Sequence, residues 1–126
     1  VEPVSIGNWI GHARVPTAAH LDTLNPATGE VLAQIPRTQA HELEAAVEAA
    51  RSGASVWAAT PAPERARALC RLADAVEMRL EEFALLESRD QGKPVALARS
   101  LDIPRSIANL RHFASALEQE TLEHHR

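Results

Sequence analysis

A single thiol, six histidines, a lysine behind a glycine and an isolated aspartate are the groups in this sequence that could act on a ligand. Cys70 would be a nucleophile only as a thiolate. It shares a helical spacing with Ala66, Leu69 and Ala73, so it is expected on a buried apolar face, where desolvation raises a thiol's pKa and leaves it inert. The histidines do not converge. His12, His20 and His41 fall in or near loops, His112 lies one residue off a helical apolar line, and His124 and His125 stand in a polar tail. A zinc site needs three or four ligands at short, defined spacings, and no such spacing occurs. Solvated surface histidines are the expectation.

Lys93, in Gln91-Gly92-Lys93-Pro94, pairs a glycine with a lysine as phosphate-binding loops do. The upstream glycine and the following Ser or Thr of such loops are missing, so a helix stop is the better reading. The glycines, at 7, 11, 29, 53 and 92, form no dinucleotide fingerprint. Glu77, Glu81 and Glu82, and likewise Glu118, Glu120 and Glu123, sit at spacings of solvated helix faces rather than of a general-acid pair. Asp102 differs, standing between Leu101 and Ile103 with Pro104 beyond. Its plainest role is the N-cap of the helix that follows.

These groups must be held by a short extended region and then by helices. In residues 1–36, a glycine–asparagine turn signal at Gly7-Asn8 lies beside Trp9 and Ile10. Leu21–Leu24, the turn Asn25–Glu30 and Val31–Ile35 read as a hairpin, with Pro26 and Gly29 supplying the turn chemistry. From Thr38, a plausible N-cap, the apolar period becomes helical, with Leu43, Ala46, Val47, Ala50, Ala54 and Trp57 on one predicted buried face. Thr60 and Pro61 open a second helix with the stripe Ala66, Leu69, Cys70, Ala73, Val76 and Leu80. A third, over 81–90, turns Phe83, Leu86 and Leu85 inward. The last buries Ile103, Ile107, Leu110, Ala114 and Leu117, and 118–126 reads as a fraying polar end.

Composition limits the classes of function. Of 126 residues, 45% are hydrophobic but only 3% aromatic, and much of the apolar content is alanine, which buries little area per residue. The predicted core is therefore thin, as in elements that normally lie against something else. A net charge of −4 with both signs interspersed leaves no basic footprint for nucleic acid. No run approaches a membrane span and no signal-peptide pattern opens the chain, so a cytoplasmic location is expected. One cysteine cannot form an internal disulfide, which fits a reducing compartment.

Several segments together resemble the amino-terminal part of aldehyde dehydrogenases. They are Ile6-Gly7-Asn8-Trp9-Ile10, Asn25-Pro26-Ala27-Thr28-Gly29-Glu30-Val31, the helix from Leu43 to Ala50, Glu64-Arg65-Ala66-Arg67, and Asp90-Gln91-Gly92-Lys93-Pro94. Ala96–Arg99 followed by Asp102-Ile103-Pro104-Arg105-Ser106 looks most like the branch acting on 2-aminomuconic or 2-hydroxymuconic semialdehyde. The resemblance implies an α/β fold with a Rossmann-type coenzyme domain in the complete enzyme. Residues 1–126 would form the first part of that domain, mainly α, with strands and turns over 1–36 and helices over 38–118. It further implies oxidation of an aldehyde to an acid with NAD or NADP through a cysteine thioester. The catalytic and cofactor-binding residues lie outside these positions, so the chain alone is expected to be inactive, and a homo-oligomer is expected of the complete enzyme. Some members bind a structural monovalent cation, and the matching positions here are Thr23, Leu24 and Asp102. Without the resemblance, the alternative is a non-catalytic helical interaction module, or a truncated subunit that binds a full-length partner.

Overall fold

The computed structural model describes residues 4–119. They fall into two compact units, one holding the chain up to Ala59 together with Arg89–Gly92, the other holding Thr60–Ser88 and the chain from Lys93 onward.

In the first unit, β1 (Val4–Ser5), β5 (Val31–Pro36) and β4 (His20–Leu24) form a three-stranded sheet in the order β1-β5-β4. The β1–β5 pair is parallel and the β4–β5 pair antiparallel. Between Thr23 and Leu24 the β4–β5 register slips: Thr23 faces Ala33 and Leu24 faces Val31, so Leu32 is an extra residue and the ladder bulges. A separate hairpin pairs β2 (Asn8–Ile10) with β3 (Ala13–Val15). Its tight turn is Gly11–His12, not the expected Gly7-Asn8, because Asn8 is already paired with Val15. Positive φ at Gly11 alone is the geometry of a two-residue II′ turn, which matches the strand twist.

Helix α1 (Ala40–Ala59) completes this unit. Thr38 is not its cap; its hydroxyl donates to Asn8 Oδ1 at 3.1 Å. The helix start is closed instead by Glu42, whose carboxylate accepts the Gln39 N–H at 2.6 Å and the Thr17 hydroxyl at 3.4 Å. This is half of a capping box with glutamine where Ser or Thr is usual. Glu42 is the one buried residue of α1. The face expected to be buried is largely open, with Leu43, Val47 and Trp57 exposed.

The second unit is helical: α2 (Ala62–Glu77), most of α3 (Leu80–Gln91), α4 (Val95–Leu97), a π-helical turn (Ala98–Asp102) and α5 (Ile103–Gln119). The α2 capping position is Pro61 rather than Thr60, with Pro63 in the first turn, where a missing N–H is harmless. Its core packs Ala73, Ala84, Ala98, Ile103 and Ile107, with Val76, Leu80, Phe83, Val95 and Leu110 around them. The inward line of α5 is as its spacing predicts. In α3 the inward positions are Leu80, Phe83 and Ala84, while Leu85 and Leu86 are exposed. Of the three larger side chains expected inward only Phe83 packs on the core, and Ala84 beside it is fully buried. The expected fraying of 118–126 falls almost wholly outside the described residues.

Candidate functional site

The Asn25–Glu30 turn is held by several hydrogen bonds of its own. Asn25 Oδ1 accepts the Ala27 N–H at 2.9 Å, and its carbonyl accepts those of Thr28 and Gly29 at 3.2 and 2.7 Å. The Asn25 N–H then donates to the Glu30 carbonyl at 2.8 Å, closing the hairpin. Gly92 is seated on this turn. It lies at φ +71°, and a Cβ there would meet Pro26 Cβ and Cγ at 3.2 Å. Two segments more than sixty residues apart in sequence thus meet through a glycine that has both a left-handed backbone and no room for a side chain.

Directly after Gly92, in the second unit, lies a cluster of charges. The Lys93 ammonium donates to Glu87 Oε1 at 2.7 Å and to Asp102 Oδ2 at 2.9 Å. Its own carbonyl accepts the Ser88 hydroxyl at 2.6 Å, so Lys93 is held at both ends. All three charged side chains are about a quarter to a third exposed. Hydrogen bonding to Glu87 first, and to Asp102 second, raises the Lys93 pKa above its ordinary value of 10.5. An ammonium so stabilised stays charged at neutral pH. It acts neither as a base nor as an amine nucleophile, and its charge is committed to carboxylates rather than to a phosphate.

Asp102 is brought to Lys93 by the π turn rather than by a helix start, so the N-cap reading is wrong. Helical backbone runs from Val95 through Asp102 into α5. The Ile103 N–H donates five residues back, to the Ala98 carbonyl. Pro104 follows at once; it has no N–H to give, and its ring pushes on the carbonyl four residues earlier. The widened turn absorbs that displacement. Ser106 Oγ donates to the Asp102 carbonyl at 3.0 Å.

Of the predicted cation ligands, Thr23 and Leu24 stand at the register slip of β4 in the first unit, and Asp102 closes the π turn in the second. The donor set is all oxygen, which suits a hard cation. Among the described residues, no group of three His, Cys, Asp or Glu side chains could hold a metal.

Cys70 is exposed, not buried. The contact face of α2 is centred between Ala66, Leu69, Ala73 and Val76, and at 100° per residue Cys70 sits roughly 80° round from that centre. Glu77, Glu81 and Glu82 are exposed as expected, but each is ion-paired. Arg111 takes Asp74 at 2.7 Å and Glu77 at 2.5 Å, Arg99 takes Glu81 at 2.8 Å, and Arg79 takes Glu82 at 2.5 Å. Glu77 is held below the ordinary carboxylate value, first by its hydrogen bond from Arg111.

Residues 14–125 match the model of the aldehyde dehydrogenase family. The chain belongs to that family, whose members are oxidoreductases, and its fold is that of their amino-terminal segment. A 2-aminomuconic semialdehyde dehydrogenase from Bos taurus is 47% identical over 116 residues, covering 92% of this chain and 24% of that protein. A solved aldehyde dehydrogenase from Burkholderia cenocepacia superposes with a TM-score of 0.83 at 39% identity, over 87% of this chain and 23% of that one. An aldehyde dehydrogenase from Bacillus cereus, solved as an NAD+ complex, gives 0.82 at 36% identity, over 90% and 24%. The chain therefore spans about a quarter of the length of these relatives. No helix among the described residues is long and apolar enough to cross a membrane.

Proposed function

We propose that this chain serves as the amino-terminal part of the coenzyme-binding domain of an NAD(P)-dependent aldehyde dehydrogenase that oxidises a muconic semialdehyde to the acid. The observation that carries the reading is the 47% identity over nearly the whole chain to a 2-aminomuconic semialdehyde dehydrogenase. The family match does not support the stand-alone helical module. In this reading the chain's own residues do no chemistry. The Asn25–Glu30 turn, Gly92 and the Lys93 cluster are scaffold, and the complete enzyme is a homo-oligomer that takes its nucleophile from elsewhere. The test is a chimera in which this chain replaces the matching segment of the bovine enzyme. It should reduce NAD when given 2-hydroxymuconic semialdehyde, whereas the 126-residue chain alone should not. A folded chimera that oxidises simple aliphatic aldehydes but no semialdehyde would refute the substrate, and one inactive towards every aldehyde would refute the reading as a whole.

Within the same reading, Thr23, Leu24 and Asp102 supply oxygen ligands to a structural monovalent cation. The melting temperature of the chimera should then rise in sodium or potassium chloride relative to choline chloride at equal ionic strength. Asp102→Asn should abolish the difference while Lys93→Met, which breaks the ion pair only, should keep it. Equal melting in all three salts would remove the cation from the account.

A further inference from the structure

Leu43, Val47, Ala50, Ala54 and Trp57 recur along α1 at alternating spacings of four and three residues. That is the seam spacing of a helix that pairs with one other helix, here a strip roughly 80° wide at 100° per residue. All five are exposed, Leu43 at 59% and Trp57 at 46%. The β2–β3 hairpin does not cover them. It meets α1 where Gly11 lies beside the Ala49 methyl group, roughly 120° round from the middle of the seam. The flank nearer the hairpin carries the small residues Ala46 and Gly53, and the other flank carries Glu44 and Arg51, two turns apart. Neither charge is committed within the chain. Glu44 has no ion pair among the described residues, and Arg51 reaches only Glu48, at 4.0 Å with both side chains about three-quarters exposed.

We propose that this face is where two copies of the chain pair, α1 against α1 in antiparallel fashion, about a two-fold axis near Glu48. The inference is independent of the function proposed above. Charge complementarity selects both the occupant and its direction. About that axis Leu43 lies against Ala54 of the second copy and Val47 against Ala50 of the second copy. Each Glu44 then falls opposite Arg51 of the second copy, so the charged flank is complementary to itself. A parallel pair would set Glu44 and Arg51 opposite the Ala46 and Gly53 flank, with no charge to meet. The alanines let the two helices approach closely, while Leu43 and Val47 supply apolar area. The seam runs for only about four turns, so the dimer should be weak and dependent on concentration.

Sedimentation equilibrium of the 126-residue chain, diluted from about 1 mM, tests the pairing. A reversible monomer–dimer equilibrium is expected. Glu44→Lys or Arg51→Glu alone sets like charges opposite one another at two symmetric places and should raise the dimer Kd roughly tenfold. The two changes in one chain exchange the signs and should restore the original Kd. Val47→Asp should leave the chain monomeric with its circular dichroism unchanged, since the position is exposed. A chain that stays monomeric up to about 1 mM overturns the proposal and leaves the seam to a partner of another kind. A dimer indifferent to Val47→Asp lies elsewhere on the chain and overturns it equally. Failure of the double charge exchange to recover the dimer overturns the antiparallel pairing.

Discussion

Gly92→Ala separates two reasons for a glycine that are usually confounded. At φ +71° an L-residue costs about 1–2 kcal/mol of backbone strain, offset by about 0.4–1 kcal/mol because alanine also restricts the unfolded chain. The same backbone term applies at Gly29, where φ is +75° and a Cβ would meet nothing within 4 Å. Only at Gly92 does the new methyl press on Pro26, at 3.2 Å from two ring carbons, which adds about 1 kcal/mol in the manner of mild overpacking. Gly29→Ala should therefore lose about 1 kcal/mol and Gly92→Ala about 2. Gly53→Ala, inside α1 with a helical backbone and open space around it, should gain up to about 1 kcal/mol. Urea unfolding followed by circular dichroism measures all three. Pro26→Gly, which removes both ring carbons, in the Gly92→Ala background closes a double-mutant cycle, with an expected coupling of about 1 kcal/mol. A coupling near zero, or a Gly92 loss no larger than that at Gly29, would show that the turn and the glycine do not bear on one another.

The helical core gives a larger effect: Ile107→Ala should cost about 2–5 kcal/mol, since its side chain is buried in the core cluster of the second unit. Lys93 and Glu77 predict opposite pH edges. Because the folded Lys93 pKa is raised, its contribution is complete below 10.5 and is lost as pH climbs through the higher folded value, so Lys93→Met should flatten the alkaline limb of a stability profile. Because the folded Glu77 pKa is lowered, its contribution is present above 4.5 and disappears as pH falls through the folded value. Arg111→Met should return the Glu77 carboxylate to ordinary titration, read by NMR. Cys70 should react stoichiometrically with an aromatic disulfide reagent in native buffer, and protection until unfolding would contradict its exposed position on α2.

Local chemistry was legible residue by residue. The Asn25–Glu30 turn, the strands around it, the glycine stop at Gly92 and the inward line of α5 each follow from interactions within a few positions, where an Asx side chain, a positive φ or a 3.6-residue period leaves few alternatives. The ordered set of turns and stops also carried the family resemblance. What failed depended on neighbours. Cys70 shared the spacing of the α2 stripe yet fell outside the contact, because periodicity gives the axis of a face but not the width that a partner helix covers. The apolar spacing of α1 predicts a buried face, and in this chain that face is largely open. Asp102 reads in sequence as a helix cap, but a π turn carries it to a lysine nine residues away. Amino-acid types alone determined which segments could turn, stop or pair. Burial and the joining of Glu87, Lys93 and Asp102 were decided only in three dimensions, because both depend on distances between groups that no local period relates.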